Sequence, residues 1–127
     1  MLDKWQAQDT FWNSFGLSGW NELNVPEDEA RAILLSGGMY ITYQATTGSL
    51  NGQMQVAGSL WHRSNSWAKI MQKADEIGLT VDRQIPIKGG HVKFRKPVVN
   101  FAQPMSDPMD SQVRRILLTV EIEFLAE

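Results

Sequence analysis

A chain of 127 residues, 43% of them hydrophobic, with a mean hydropathy of -0.28, has the size of one globular domain and needs no disulfide or metal to build a core. The absence of cysteine excludes disulfides and thiolate metal sites, and a formal charge of -2 argues against a dedicated nucleic-acid binder. No apolar run approaches the roughly 20 residues of a membrane-spanning helix, and Met1 to Trp5 lacks the basic-then-apolar order of a secretory leader, so the expectation is a protein used inside a cell or carried in a particle assembled there.

Leu2, Trp5, Trp12 and Phe15 fall on one side of a short amphipathic helix expected over about residues 2–15, with Gly16 as its stop. Trp5, Trp12 and Trp20 crowd this part of the chain; they either cover a sheet or an open edge, or enter an interface with another chain, where tryptophan is enriched. Asn21 to Asn24 reads as a loop. Pro26 followed by Glu27, Asp28 and Glu29 has the chemistry of a helix start, with acids near the positive end of the dipole. Ala30 to Leu35 would continue that helix for a turn or two, and Gly37-Gly38 would end it.

Tyr40, Ile41, Thr42 and Tyr43 mark a strand over about 39–45, and Thr46 to Gly52 a loop. A strand over 53–63 follows, with Met54, Val56, Leu60 and His62 on one face and Gln53, Gln55, Ser59, Trp61 and Arg63 on the other. At Ser64-Asn65-Ser66 the period changes. Trp67, Ile70, Met71, Ala74 and Ile77 then recur at helical spacing, predicting a main helix over about 65–78 that folds back on the strand. Gly89-Gly90 separates two short strands, about 85–88 and 91–95, as a hairpin with a primed turn would require, and Pro86 marks the first arm as an edge. Lys96 to Ser111, with Pro97, Pro104 and Pro108, reads as a long irregular segment. The last strand, about 114–126, alternates: Ile116, Leu118, Val120, Ile122 and Phe124 form an apolar face, and Thr119, Glu121 and Glu123 a wet one.

This order of elements predicts an α+β fold in a single domain: an antiparallel or mixed sheet of about four to five strands, with helices packed mainly on one side.

No catalytic constellation, metal-ligand spacing or cofactor-binding motif is present. His62 and His91 stand far apart and belong to no metal pattern, and the paired glycines match neither a P-loop nor a dinucleotide fingerprint. Asp107 and Asp110 have the spacing of turn and cap residues rather than of a calcium loop. One charge feature stands out: Lys88, His91, Lys93, Arg95 and Lys96 gather on the hairpin. They form either a solvated edge that lysine keeps from unwanted pairing, or a basic finger for an acidic protein partner, with DNA contact at most incidental.

Several segments carry a resemblance to a known family: Phe11-Trp12-Asn13-Ser14-Phe15-Gly16-Leu17, Tyr40-Ile41-Thr42-Tyr43, Ser59-Leu60-Trp61-His62-Arg63-Ser64, Phe101-Ala102-Gln103-Pro104-Met105-Ser106-Asp107-Pro108, Arg114-Arg115-Ile116-Leu117-Leu118 and Glu121-Ile122-Glu123-Phe124-Leu125. In that order, spanning most of the chain, they resemble the small tail-terminator or tail-completion proteins of long-tailed phages of Gram-positive bacteria, also called minor tail or minor capsid proteins. The chain departs from that pattern at Ala30 to Met39, where Ile33-Leu34-Leu35-Ser36-Gly37-Gly38-Met39 replaces a short acidic loop and a proline. The resemblance implies a structural virion protein that forms a ring, usually hexameric, capping the tail tube at the head–tail junction. It implies no catalysis and no cofactor. The partners it implies are further copies of the chain, the tail tube protein and the head–tail connector protein, met in the host cytoplasm during assembly. A nucleic-acid-binding accessory module and a head-completion or baseplate component are the alternatives.

Ring closure needs a heterologous interface. Its sequence candidates are an exposed sheet edge, the hairpin Lys88 to Lys96, the proline-rich stretch to Asp110, and Glu121 and Glu123 as receivers of the basic hairpin.

Overall fold

Two long strands, β3 (Gln53–Arg63) and β7 (Val113–Ala126), pair antiparallel from Gln53 opposite Glu123 to Arg63 opposite Val113, and every other strand hangs from them. The computed structural model describes residues 2–46, 53–106, 110 and 112–126. Beyond β3 lie β2 (Met39–Tyr43), antiparallel to it, and then β1 (Ser18–Asn21), parallel to β2. On its far side β7 carries two strands end to end. β6 (Ala102–Ser106) pairs with its first half and β5 (Gly90–Arg95) with its second, and β4 (Arg83–Ile87) pairs with β5. The order is β1-β2-β3-β7-β5-β4, with β6 beside β7.

The alternation of the strands sets the two faces. Leu60 opposite Ile116, Val56 opposite Val120, Ile41 opposite Leu60 and Val92 opposite Phe124 are cross-strand pairs of buried side chains on one face. On that face sit α1 (Lys4–Trp12) and α3 (Ala68–Gly78), the latter burying Ile70, Ala74 and Ile77. α2 (Glu27–Leu35) makes the crossover between the parallel strands β1 and β2. Its Ala30, Arg31 and Leu34 line a shallow cleft with Tyr40, whose side chain alternates away from the main core.

α1 touches both ends of the strand order. Leu2, just before it, bridges to Ile87 of β4, and at its other end Asn13 bonds Gly19 of β1. In between, Phe11 stacks on Phe94 of β5 at 4.0 Å, and Trp12 stacks on Tyr43 of β2 at 5.9 Å. One helix in contact with both ends requires the sheet to curl, and it forms a half-barrel around α1. Gly58 of β3 makes room for the Trp12 ring: a Cβ there would lie 2.6 Å from Trp12 Cη2.

The expected sheet of four to five strands with helices mainly on one side is therefore incorrect. The sheet has seven strands, is mixed and curled, and strand exceeds helix by 44% to 25% of the described residues. The two strands missing from the sequence reading are short and sparsely apolar. β1 is Ser-Gly-Trp-Asn, and β6, Ala-Gln-Pro-Met-Ser, lies in the segment read as irregular because of its prolines. The hairpin turn also shifts by one residue. Ile87 pairs with Gly90, so Lys88-Gly89 is the loop, and Gly89 alone of the two has a positive φ of 80°, whereas a type I′ turn needs both.

His62 is buried on the core face, where the backbone of Gly37 hydrogen-bonds its ring while Nδ1 has no partner among the described residues. Burial holds its pKa below the ordinary value; the Gly37 bond raises it, and the charge of Lys69 lowers it further. The unfolded chain thus takes a proton that the folded chain refuses. Stability conferred by neutral His62 is present above about pH 6.5 and is lost as pH falls from there toward the lowered folded value. Denaturant midpoints measured across that range should fall with acidity, and less steeply in His62→Gln. A second expectation concerns Gly58→Ala, which should cost about 1–3 kcal/mol by overpacking against a fixed ring. In a Trp12→Leu background, where the ring is gone, the same change should cost much less in equilibrium unfolding.

Candidate interaction surface

Each free edge of the sheet carries its own block. On β1, Glu22 N–H donates to the Tyr43 carbonyl at 2.9 Å, so by alternation Gly19 turns its backbone away from β2. Asn13 occupies that outward position: its Nδ2 donates to the Gly19 carbonyl at 2.9 Å, and its Oδ1 accepts from Gly19 N–H at 2.8 Å. A side-chain amide thereby stands in for the neighbouring strand's peptide. Gly19 permits the approach, since a Cβ would lie 2.8 Å from the Trp12 carbonyl oxygen. On β6, Thr119 N–H donates to the Phe101 carbonyl at 2.8 Å, which turns Pro104, three residues on, outward with no N–H to offer. β4 contains Pro86, and its end is covered by Leu2, whose carbonyl accepts from Lys88 N–H at 3.0 Å. Backbone pairing with another chain is thus obstructed at each of these edges.

The charged residues singled out from the sequence lie in three places. On the outer face, β5 sets Lys93 opposite Glu123 and Arg95 opposite Glu121. Arg95 Nη2 lies 3.4 Å from Glu123 Oε1, and Glu121 Oε2 accepts from Gln53 Nε2 at 3.3 Å. Glu121 and Glu123 are thus neighbours of the basic hairpin in the same chain. His91 faces the same way, half-buried, opposite Leu125 and Pro86. At the hairpin tip Lys88 pairs with Asp3 at 3.7 Å. Asp110 sits apart, at the start of β7. Gln112 N–H donates to its Oδ1 at 2.9 Å and Arg63 Nε lies 3.5 Å away, and these, the Gln112 bond foremost, hold its carboxyl below the ordinary value. Asp107 lies outside the described residues.

Lys96 belongs to a different feature. Its Nζ lies over the Phe101 ring at 5.5 Å, and its N–H donates to Asp82 Oδ1 at 2.8 Å. With Asp82, Arg83, Gln84, Lys93, Phe94 and Arg95 it lines a cleft of about 460 Å³ at the open end of the β4–β5 hairpin. Arg83, which the sequence did not single out, is fixed beside it. Its Nε and Nη2 donate to the Thr80 carbonyl at 3.0 and 2.6 Å, Nη1 donates to Ser14 Oγ at 2.6 Å, and the guanidinium lies over Phe15 at 5.2 Å and Phe11 at 5.5 Å.

Exposed large apolar side chains add to this surface. Leu79, Val98 and Val99 flank the basic cleft in the chain, while Leu23 stands beside β1, where Trp5 helps line a shallow cleft with Trp20, Asn24 and Tyr43. Among the described residues no three His, Asp or Glu side chains converge as metal ligands. Comparison with protein-family models, curated proteins and solved structures returns no match.

Replacing Asn13 by Ala should remove both bonds to Gly19 and cost about 1–3 kcal/mol, the range for leaving a shielded backbone group unpaired. It should also open the β1 edge, so thioflavin binding or light scattering at elevated concentration should rise relative to the parent chain.

Proposed function

We propose that this chain is a structural assembly protein of a long-tailed phage virion, forming a ring of identical subunits that caps the tail tube and faces the head connector. The observation that best supports it is where the exposed apolar side chains lie. Leu79 and Val98 are 86% and 101% exposed near the β4–β5 end of the strand order, and Leu23 is 86% exposed near the β1 end. Two unlike apolar sites on different strands' connections of one subunit are the starting point of a head-to-tail contact, which closes into a ring when the rotation permits. Blocked edges favour contact through side chains, where register and angle are set by shape and not by an extendable ladder. The resemblance to tail-terminator proteins supplies the place of that ring.

Light scattering of the purified chain, alone and mixed with tail tube protein, tests this reading. The expected result is a mass of several 14.4 kDa copies in at least one of the two samples, with ring-shaped particles in negative stain. Leu23→Asp and Val98→Asp should each lower that mass without changing the circular dichroism spectrum. A chain that stays at the mass of one copy in both samples would end the proposal.

A further inference from the structure

We infer that the basic cleft at the β4–β5 end of one copy receives the acidic β1–α2 connection of the next copy; this rests on the ring reading and names the contact that would build it. Charge within the chain is unevenly matched. Glu123, the natural partner of Lys93 across the β5–β7 ladder, is engaged by Arg95, and Glu121 is engaged by Gln53. Arg83 is held by a carbonyl, a hydroxyl and two aromatic rings, none of which carries charge. Asp82 is the only carboxylate among the residues that line the cleft, set against Lys93, Arg95 and Lys96; Arg83 lies opposite Phe94 and turns its guanidinium to the inner face, over Phe11 and Phe15. The cleft therefore keeps a surplus of positive charge on a chain whose net charge is -2.

The compensating negative charge sits at the other end of the strand order. Glu22, Glu27, Asp28 and Glu29 are all exposed, and none takes part in an ion pair among the described residues. Apolar matching accompanies the charge: Leu23 lies within the acidic stretch, and Leu79, Val98 and Val99 flank the basic one. The two surfaces are unlike, so each must meet the other kind on another copy. They can pair head to tail, copy after copy.

The test is mixing by charge. In the basic variant Lys93 and Lys96 become Glu; in the acidic variant Glu27 and Asp28 become Lys. Milder neutral pairs (Lys93→Gln with Lys96→Gln, Glu27→Gln with Asp28→Asn) serve if a reversal disturbs the fold by circular dichroism. Sedimentation of the full chain should show each reversed variant alone associating about tenfold or more weakly than the parent. An equimolar mixture of the two should recover association, since each then meets an opposite charge. Added salt should weaken the parent and the mixture alike. Variants that associate like the parent, or a mixture that stays dissociated, overturn this pairing and leave the ring reading standing. A parent chain that never associates, alone or with tube protein, overturns both. Duplex DNA as the occupant of the cleft would appear as DNA binding lost in the basic variant with self-association intact, which also overturns it.

Discussion

The fold depends on the insertion of Phe11 and Trp12 between the two walls of a curled sheet. A seven-stranded sheet with one apolar face must cover that face, and α1 does so from the inside, with Phe94 on one wall and Tyr43 and Gly58 on the other. Losing a buried aromatic of this kind costs about 3–5 kcal/mol, a large share of a typical domain's stability. Enclosure also explains why α1 buries Gln8 together with Ala7, Phe11 and Trp12. A helix wrapped by sheet on more than one side has little room for a polar face, so its buried polar group must find partners. Gln8 finds them on Thr46, donating Nε2–H to its carbonyl at 2.8 Å and accepting its N–H at 2.8 Å.

Gln8 and Asn13 thus do the same thing at two places. Each presents a side-chain amide to one residue's backbone, matching donor to acceptor and acceptor to donor as a neighbouring strand would. The first ties the chain beyond β2 to the helix; the second ties down β1. The curl and the protection of the edge therefore share an origin: one helix reaches both, and loosening it would expose apolar core and unpaired backbone together. A sheet closed off in this way meets other molecules through side chains, which are specific in shape and charge, and not through ladder hydrogen bonds, which are indifferent to sequence.

How much of this was legible in the sequence follows from which signals are local. Alternation in Gln53 to Arg63 and in Arg114 to Ala126, and the helical period from Trp67 to Ile77, are each carried by consecutive residues, so burial on one face writes them directly into the chain. β1 and β6 are stabilised by what lies beside them. Ser18 to Asn21 forms a strand because β2 flanks it on one side and Asn13 on the other, and Ala102 to Ser106 because the first half of β7 has an edge facing away from β3 that is otherwise unpaired. Neither leaves a periodic trace in so few residues. The basic character of the hairpin was plain, but its cross-strand glutamates were not. Lys93 and Glu123 are far apart in sequence, and only the β5–β7 register makes them neighbours. Arg83 was invisible for a similar reason, since its importance comes from Thr80, Ser14 and two rings that the fold gathers around it.

That register changes how the surface charge must be read. Had Lys93 and Arg95 stood alone, Glu121 and Glu123 of a neighbouring copy would have been natural receivers. With these carboxylates already in the same face, an ion pair there is partly exposed and worth little, about 0–1 kcal/mol, and its opposed charges present no net field to a partner. What a partner senses is the charge left over after such local cancellation: Lys93 and Lys96 at the hairpin, and the α2 start where three successive acids are followed by Arg31 a turn later. Those acids also favour the α2 N-terminus through the helix dipole, so they have a role within the subunit whether or not a second copy is present. In the basic cleft Arg83, Arg95 and Lys96 likewise have contacts within the subunit, whereas Lys93 takes part in no ion pair among the described residues. The asymmetry is the reason to look for its counterpart outside the chain.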